Sequence, residues 1–334
     1  MVPYRKNLMW GYSSFDKKII IDCMYEEAYE FKKGVAKVKL NGKYAFIKEN
    51  GEQLTPFIYD ELWEYSEGLA RVEVKNKSGF INEGGELQIP YIYDDCCDFS
   101  EGLACISLNN KEGFMNNLGE IVIPCKYNLT ASFSEGLACV YETNWRFIDK
   151  SGNYPFFYGS DIAASFSEGL ARVAHCKYGY VDKSGREVIP TIYDWSECFC
   201  EGFASVKYNG KYGFLNKVGA EPFPIKYEGV VDFSEGFAGV ELNGKWGFIN
   251  YIGEQAVPCI YEWGTGINIY KYKFCEGLAP VILNGKYGFV NKMGELIIPC
   301  LYEYGTIHSD GLAKVKLKDQ WGYIDKEGNQ YWED

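Results

Sequence analysis

The residues best suited to chemistry in this chain are carboxylates, and they recur. Glu67, Glu101, Glu135, Glu168, Glu201, Glu235 and Glu276 each precede a glycine, while Asp310 holds the same place late in the chain and Lys33 holds it early. Stacked in register, they would make a row of anions able to hold a cationic peptide or metal ions. The plainer use, and the one expected, is that each is solvated at a turn or accepts a nearby backbone N–H. A second row pairs tyrosine with an acid: Tyr25-Glu26, Tyr59-Asp60, Tyr93-Asp94, Tyr193-Asp194, Tyr227-Glu228, Tyr261-Glu262 and Tyr302-Glu303, extended by Tyr127-Asn128 and broken at Ser160. Ring planes beside carboxylates would serve a glycan or a basic peptide through stacking and cation–π contact. A tyrosine repeated in eight of nine connectors suits architecture better, as a plug between units whose hydroxyl reaches a backbone group.

Catalytic chemistry finds little support. Only His175 and His308 are available to activate a nucleophile. His175-Cys176 and Cys198-x-Cys200 together make four soft ligands. Zinc knuckles space their cysteines by two residues, however, and Cys-x-Cys on a strand points both side chains to one face. No phosphate loop, no His-Glu-x-x-His and no Gly-x-Ser-x-Gly occurs. Neither a catalytic residue, a metal nor a cofactor is expected.

The elements that would position these groups come from a repeat. Nine glycines of the Glu-Gly-Leu-Ala type, from Gly34 to Gly311, are spaced by 33 or 34 residues, with one interval of 41. A second anchor, the glycine of Trp-Gly-Phe, falls at 11, 79, 113, 179, 213, 247, 288 and 322, with Ala45 and Arg146 in the two remaining places. The copies starting at Gly136 and Gly169 have a shortened hairpin, and the long interval has seven extra residues between Tyr261 and Phe274. Each unit reads as three strands. Gly-Leu-Ala-x-Val alternates by two, and Asn-Gly at 41-42, 209-210, 243-244 and 284-285 marks a tight hairpin. The aromatic-Gly-Phe strand follows, then a turn such as Asn-Lys-x-Gly, and then a third strand of the type Glu-Leu-Ile-Ile that stops at proline. The aromatic before the second glycine is expected in the core.

Glu-Gly-Leu-Ala, Asn-Gly-Lys-(Trp/Tyr)-Gly-Phe-Ile, Lys-x-Gly and Ile-Pro-x-x-Tyr-(Asp/Glu) resemble the WG repeat, also called KWG, over essentially the whole chain. That resemblance implies a bacterial all-β repeat without shared catalytic residues or a general ligand. The departures are Ser78 and Glu112 for the aromatic, Ala45 and Arg146 for the glycine, and residues 151–161, which lack the Ile-Pro ending.

The expected fold is all-β: one domain over residues 1–334, a tandem array of about ten three-stranded antiparallel repeats. An open solenoid is favoured over a propeller-like ring, because propeller blades usually carry four strands and the last residues read as a third strand, leaving none to complete a shared sheet. Net charge of −12 and a pI near 4.9 argue against nucleic acid and anionic membranes. No signal segment or long apolar run is seen, and the twelve scattered cysteines suit a reducing, cytoplasmic setting. Function is expected to be non-enzymatic binding of a protein, one with basic segments. Glycan or cell-envelope binding is the alternative, and a metal-dependent enzyme the third reading. The candidate surface is Tyr93, Asp94, Tyr193, Asp194, Tyr227, Glu228, Tyr261 and Glu262, with Tyr270 and Tyr272 in the insertion at 263–273.

Overall fold

Asparagine and glycine tolerate the left-handed backbone that a two-residue hairpin needs, and the strands form around such pairs. Val35–Leu40 pairs antiparallel with Lys43–Lys48 across Asn41 (φ 51°) and Gly42 (φ 71°). The same turn joins Phe203–Tyr208 to Lys211–Asn216 through Asn209 and Gly210. Asn109-Asn110 takes it without glycine, both residues lying at positive φ. In the copies starting at Gly136 and Gly169 the hairpin strands shrink to five residues, Leu137–Tyr141 with Trp145–Asp149 and Leu170–Ala174 with Tyr178–Asp182. The computed structural model describes residues 1–263, 272–306 and 308–333.

A second tight turn precedes each hairpin. Glu101 (φ 54°) and Gly102 (φ 85°) reverse the chain between Ser100 and Leu103, which exchange backbone hydrogen bonds of 2.9 and 3.2 Å. The residues before this turn pair with the hairpin. Asp95–Cys96 lies against Ser107 and Ile106, so the sheet of this repeat runs Asp95–Cys96, Leu103–Leu108, Lys111–Asn116, Ile121–Tyr127. Repeats therefore carry three or four strands, not uniformly three, because the connector supplies a short first strand.

The last strand also differs from expectation. It runs through its proline, as in Ile121–Tyr127 around Pro124, and does not stop there. Its pairing with Lys111–Asn116 shifts register on both sides of Phe114↔Ile123, which is a bulge that tolerates proline at a sheet edge. The glycine of the second anchor makes this bulge possible. A Cβ on Gly113 would stand 2.4 Å from the Ile123 carbonyl oxygen, and one on Gly247 2.5 Å from that of Val257.

The core is a series of aromatic rungs. The Phe after that glycine meets the Phe before the Glu-Gly turn: Phe80–Phe99 at 4.9 Å, Phe114–Phe133 at 4.8 Å, Phe214–Phe233 at 5.0 Å and Phe248–Phe274 at 4.9 Å between centroids. Tilted or edge-on pairs at this spacing are the favoured geometry for aromatic rings. His308 replaces phenylalanine in one rung, 4.8 Å from Phe289. It is fully buried there, its Nε2 3.3 Å from the Asp325 carbonyl oxygen.

The fold is all-β, built of tandem antiparallel sheets of three or four strands. The chain forms two compact units, residues 1–166 with Glu333, and residues 167–332. In the first unit Glu333 joins the edge of the sheet formed by Ile19–Tyr25, Met9–Ser13 and Val2–Lys6, with Lys6 Nζ 2.9 Å from its Oε2. The last residues are therefore not only a third strand of their own repeat. Among the described residues no helix is long and apolar enough to cross a membrane.

Candidate functional site

Both carboxylate rows are engaged within the fold. In the first row Glu67, Glu101, Glu168, Glu201, Glu235 and Glu276 reach into the next repeat. Glu67 accepts the Gly102 N–H at 2.8 Å, Glu101 that of Gly136 at 2.9 Å, Glu235 that of Gly277 at 2.9 Å and Glu276 that of Gly311 at 2.9 Å. A lysine from the following turn closes the contact: Lys150 on Glu101 at 3.2 Å, Lys217 on Glu168 at 2.9 Å, Lys292 on Glu235 at 3.1 Å and Lys326 on Glu276 at 3.1 Å. Where Tyr251 replaces that lysine, its hydroxyl donates to Glu201 at 2.8 Å. Burial pushes the Glu101, Glu235 and Glu276 carboxyls up, but these donors outweigh it and hold them below their ordinary value.

The acid of most tyrosine pairs joins two hairpins. Asp94 accepts from Lys77 Nζ at 2.6 Å and from the Asn109 N–H at 2.8 Å, and Glu262 accepts from the Gly285 N–H at 2.9 Å beside Lys245 at 3.7 Å. Glu228 pairs with Lys211 at 2.8 Å, and Asp194 with Lys177. The lysine lowers the Asp94, Asp194 and Glu228 carboxyls.

The tyrosines of the candidate surface do not form a surface. Tyr93, Tyr193, Tyr227 and Tyr261 are all buried, each opposite the residue before the second anchor glycine: Ser78, Tyr178, Tyr212 and Trp246. Ring burial is what a plug requires, and desolvation raises all four phenols. Among the described residues none of these four hydroxyls bonds a backbone carbonyl, so that part of the expectation is not met. Tyr272 is likewise buried, stacked on Trp263 at 4.9 Å, which itself lies 4.3 Å from Trp246. Tyr270 lies outside the described residues.

Other departures from the repeat have local explanations. Glu112, in an aromatic position, accepts from the Thr130 N–H at 2.5 Å and its hydroxyl at 2.9 Å. Trp10, Tyr44, Trp246 and Tyr287 are buried as expected, Trp145, Tyr178 and Tyr212 are half-buried, and Trp321 is exposed. Cys176 and Cys200 are exposed, Cys198 is half-buried, and no group of His, Cys, Asp and Glu suited to a metal occurs among the described residues.

Sequence reasoning missed an exposed apolar row. The residue before each buried tyrosine points outward and is apolar in six repeats: Met24, Ile58 and Ile92 in the first unit, Ile192, Ile260 and Leu301 in the second, each 44–56% exposed. Its signal was in the sequence, as an apolar residue recurring beside the tyrosine, but the period of two was applied only to the hairpin strands.

The WG containing repeat model matches at residues 10–44, 45–77, 79–111, 113–144, 178–212, 212–246, 246–287 and 287–321. The chain therefore belongs to the WG containing repeat family. None of the curated proteins compared matches it. Among solved structures, a eukaryotic initiation factor is similar in fold at 10% identity and TM-score 0.54, over 98% of this chain and 94% of that one. PorZ, a surface component of the type-IX secretion system of Porphyromonas gingivalis, matches at 12% identity and TM-score 0.33, over 90% of this chain and 45% of its own. KlHsv2 with a replaced loop matches at 9% identity and TM-score 0.36, over 91% and 95%.

Proposed function

We propose that the chain is a non-enzymatic binding scaffold whose outward strand faces dock a protein partner carrying apolar side chains flanked by Lys or Arg. The observation that carries this reading is the exposed apolar residue repeated before the buried tyrosines. Single exposed apolar residues are ordinary, but the same placement in repeat after repeat is what an interaction surface has. Three of the strands that hold it, those with Ile92, Ile260 and Leu301, directly follow exposed glutamates, Glu86, Glu254 and Glu295. Their side-chain partners are the neutral amides of Asn82, Asn250 and Asn291, at 2.7 to 3.1 Å, which leaves their charge for a cationic partner. The glycan alternative is supported less, because the rings it would stack on are covered.

The finer architecture and setting belong to the same proposal. The Lys6–Glu333 ion pair supports the propeller-like alternative over an open solenoid; a Lys6→Cys, Glu333→Cys pair that fails to crosslink would favour the solenoid. A reducing, cytoplasmic setting is supported by cysteines used in packing, with Cys125 and Cys259 aiming Sγ at the Ile106 and Val240 carbonyls at 3.9 and 3.8 Å.

The test compares wild-type chain with an Ile58→Asp, Ile92→Asp variant as bait in a cell lysate, with proteins quantified along a salt gradient. Proteins retained by wild type, released by salt and lost from the variant are expected. Identical retention by both baits, with both folded, rejects the exposed row as the docking surface.

A further inference from the structure

The second repeat of the first unit departs from its neighbours in charge. Residues 1–50 carry ten Lys and Arg against six Asp and Glu, in a chain whose net charge is −12. Where most later repeats have Ser-Glu before the turn glycine, this one has Lys32-Lys33. The serines Ser66, Ser100 and Ser134 donate to the next repeat's Phe carbonyls at 2.7 to 2.8 Å, a bond that lysine does not reproduce. Lys32 instead reaches Glu64 at 2.8 Å.

Beside these lysines lies a cavity of about 460 Å³, lined by the rings of Tyr29, Phe46, Trp63 and Tyr65, by Lys32, Lys33 and Lys37, and by the carboxylates of Glu30, Glu64 and Asp98. That volume lies within the usual range for small-molecule sites, which also combine ring surfaces with a few polar groups. Lys37 is its unusual member. The same place in other repeats holds Arg71, which pairs with Asp95 at 3.3 Å and Asp98 at 3.9 Å, and Arg172, which pairs with Glu197 at 3.1 Å. Glu61 and Glu64 stand where Asp95 and Asp98 do, but Glu64 is taken by Lys32. Trp63 occupies the position equivalent to Glu197. Lys37 is left half-buried between the Tyr29 and Tyr44 rings, at 4.3 and 5.0 Å, with no carboxylate in an ion pair with it among the described residues. Desolvation lowers its pKa against the pull of the more distant Glu61, Glu27 and Glu64. An ammonium in that position gains from an incoming anion what Arg172 gains from Glu197.

We propose that this cavity binds a small organic anion with a flat ring, whose carboxylate or phosphate takes beside Lys37 the place that Glu197 holds beside Arg172 while the ring lies against Trp63 and Tyr65. The site is separate from the exposed apolar row and does not depend on a protein partner. The role of Lys33 is to add a second, solvent-facing charge at the rim.

Calorimetric titration of the full chain with benzoate, phenyl phosphate, benzyl alcohol and benzylamine tests this. Saturable binding of at least one of the two anions is expected, with benzylamine weaker by about tenfold or more. Lys37→Met should weaken the anion by about tenfold and leave benzyl alcohol unchanged, and Lys37→Arg should restore most of the loss. Trp63→Ala should weaken all the ligands that bind. Thermal melts confirm that each variant is folded. The proposal is overturned if neither anion saturates by about 10 mM, if benzylamine binds as well as benzoate, or if folded Lys37→Met binds the anions like wild type.

Discussion

Residues 121–127 and residues 153–160 occupy the same place in their repeats, yet only the first segment is a strand. Ile121–Tyr127 bulges against Gly113, whose missing Cβ leaves room for the Ile123 carbonyl. Residues 153–160 face Arg146 and keep only the bridge Trp145↔Ser160. Ala45 repeats the lesson, since residues 53–59 keep two bridges and no strand. The aromatic before the glycine is dispensable by comparison: Ser78 stands there opposite Tyr93, and Leu87–Tyr93 is still a strand. The glycine therefore admits the edge strand, and the aromatic adds burial beneath it. Glycine is not sufficient, because residues 220–227 carry a second proline, Pro222, and form no strand opposite Gly213.

The largest expected effect separates these two roles. Trp246→Ala should cost about 3–5 kcal/mol of stability by denaturant melts, yet leave the amides of Gln255–Tyr261 protected from exchange. Gly247→Ala should cost less, about 1–3 kcal/mol, and expose those amides. If exchange in this strand is lost in the tryptophan variant and kept in the glycine variant, the assignment of roles is reversed.

The aromatic rungs offer a second contrast. His308 is the one imidazole among the Phe–Phe and Phe–Tyr rungs described, and burial lowers its pKa. Lowered basicity means that the unfolded chain takes up its proton first, so stability falls as pH drops below about 6.5. His308→Phe should remove that part of the pH dependence and raise stability at pH 5. Equal slopes for both chains between pH 7 and 5 would rule this out.

The carboxylate rungs act at lower pH. The folded values of Glu101, Glu235, Glu276, Asp94 and Glu228 lie below their unfolded ones. Their contribution is complete above about pH 4.3 and is lost as pH falls through the depressed values. Glu101→Gln should flatten the acid limb of a melting-temperature profile, and the effect should be small because these groups lie near the surface. Ala45→Gly should have the smallest effect, within about 1 kcal/mol either way. Its informative readout is whether residues 53–59 gain exchange protection.

Much of this was legible in the chain itself. Asn-Gly at a fixed offset fixes hairpins because few residues tolerate two successive left-handed conformations, and the 34-residue period sets the array because each unit repeats the same local preferences. Glutamate before glycine could be placed at a turn for the same reason. Only tertiary structure decided what the acids and tyrosines do. A carboxylate's partner lies in the next repeat, about 34 residues away, and a period in the sequence does not reveal which donor it meets. Likewise, Tyr93 and Ile92 are adjacent and point to opposite faces by the period of two, but only packing decided that the ring goes inward and the isoleucine stays in water. Lys37 is the sharpest case. A lysine at that position reads as one more surface charge until packing sets it between the Tyr29 and Tyr44 rings, with Trp63 standing where Arg172 finds Glu197.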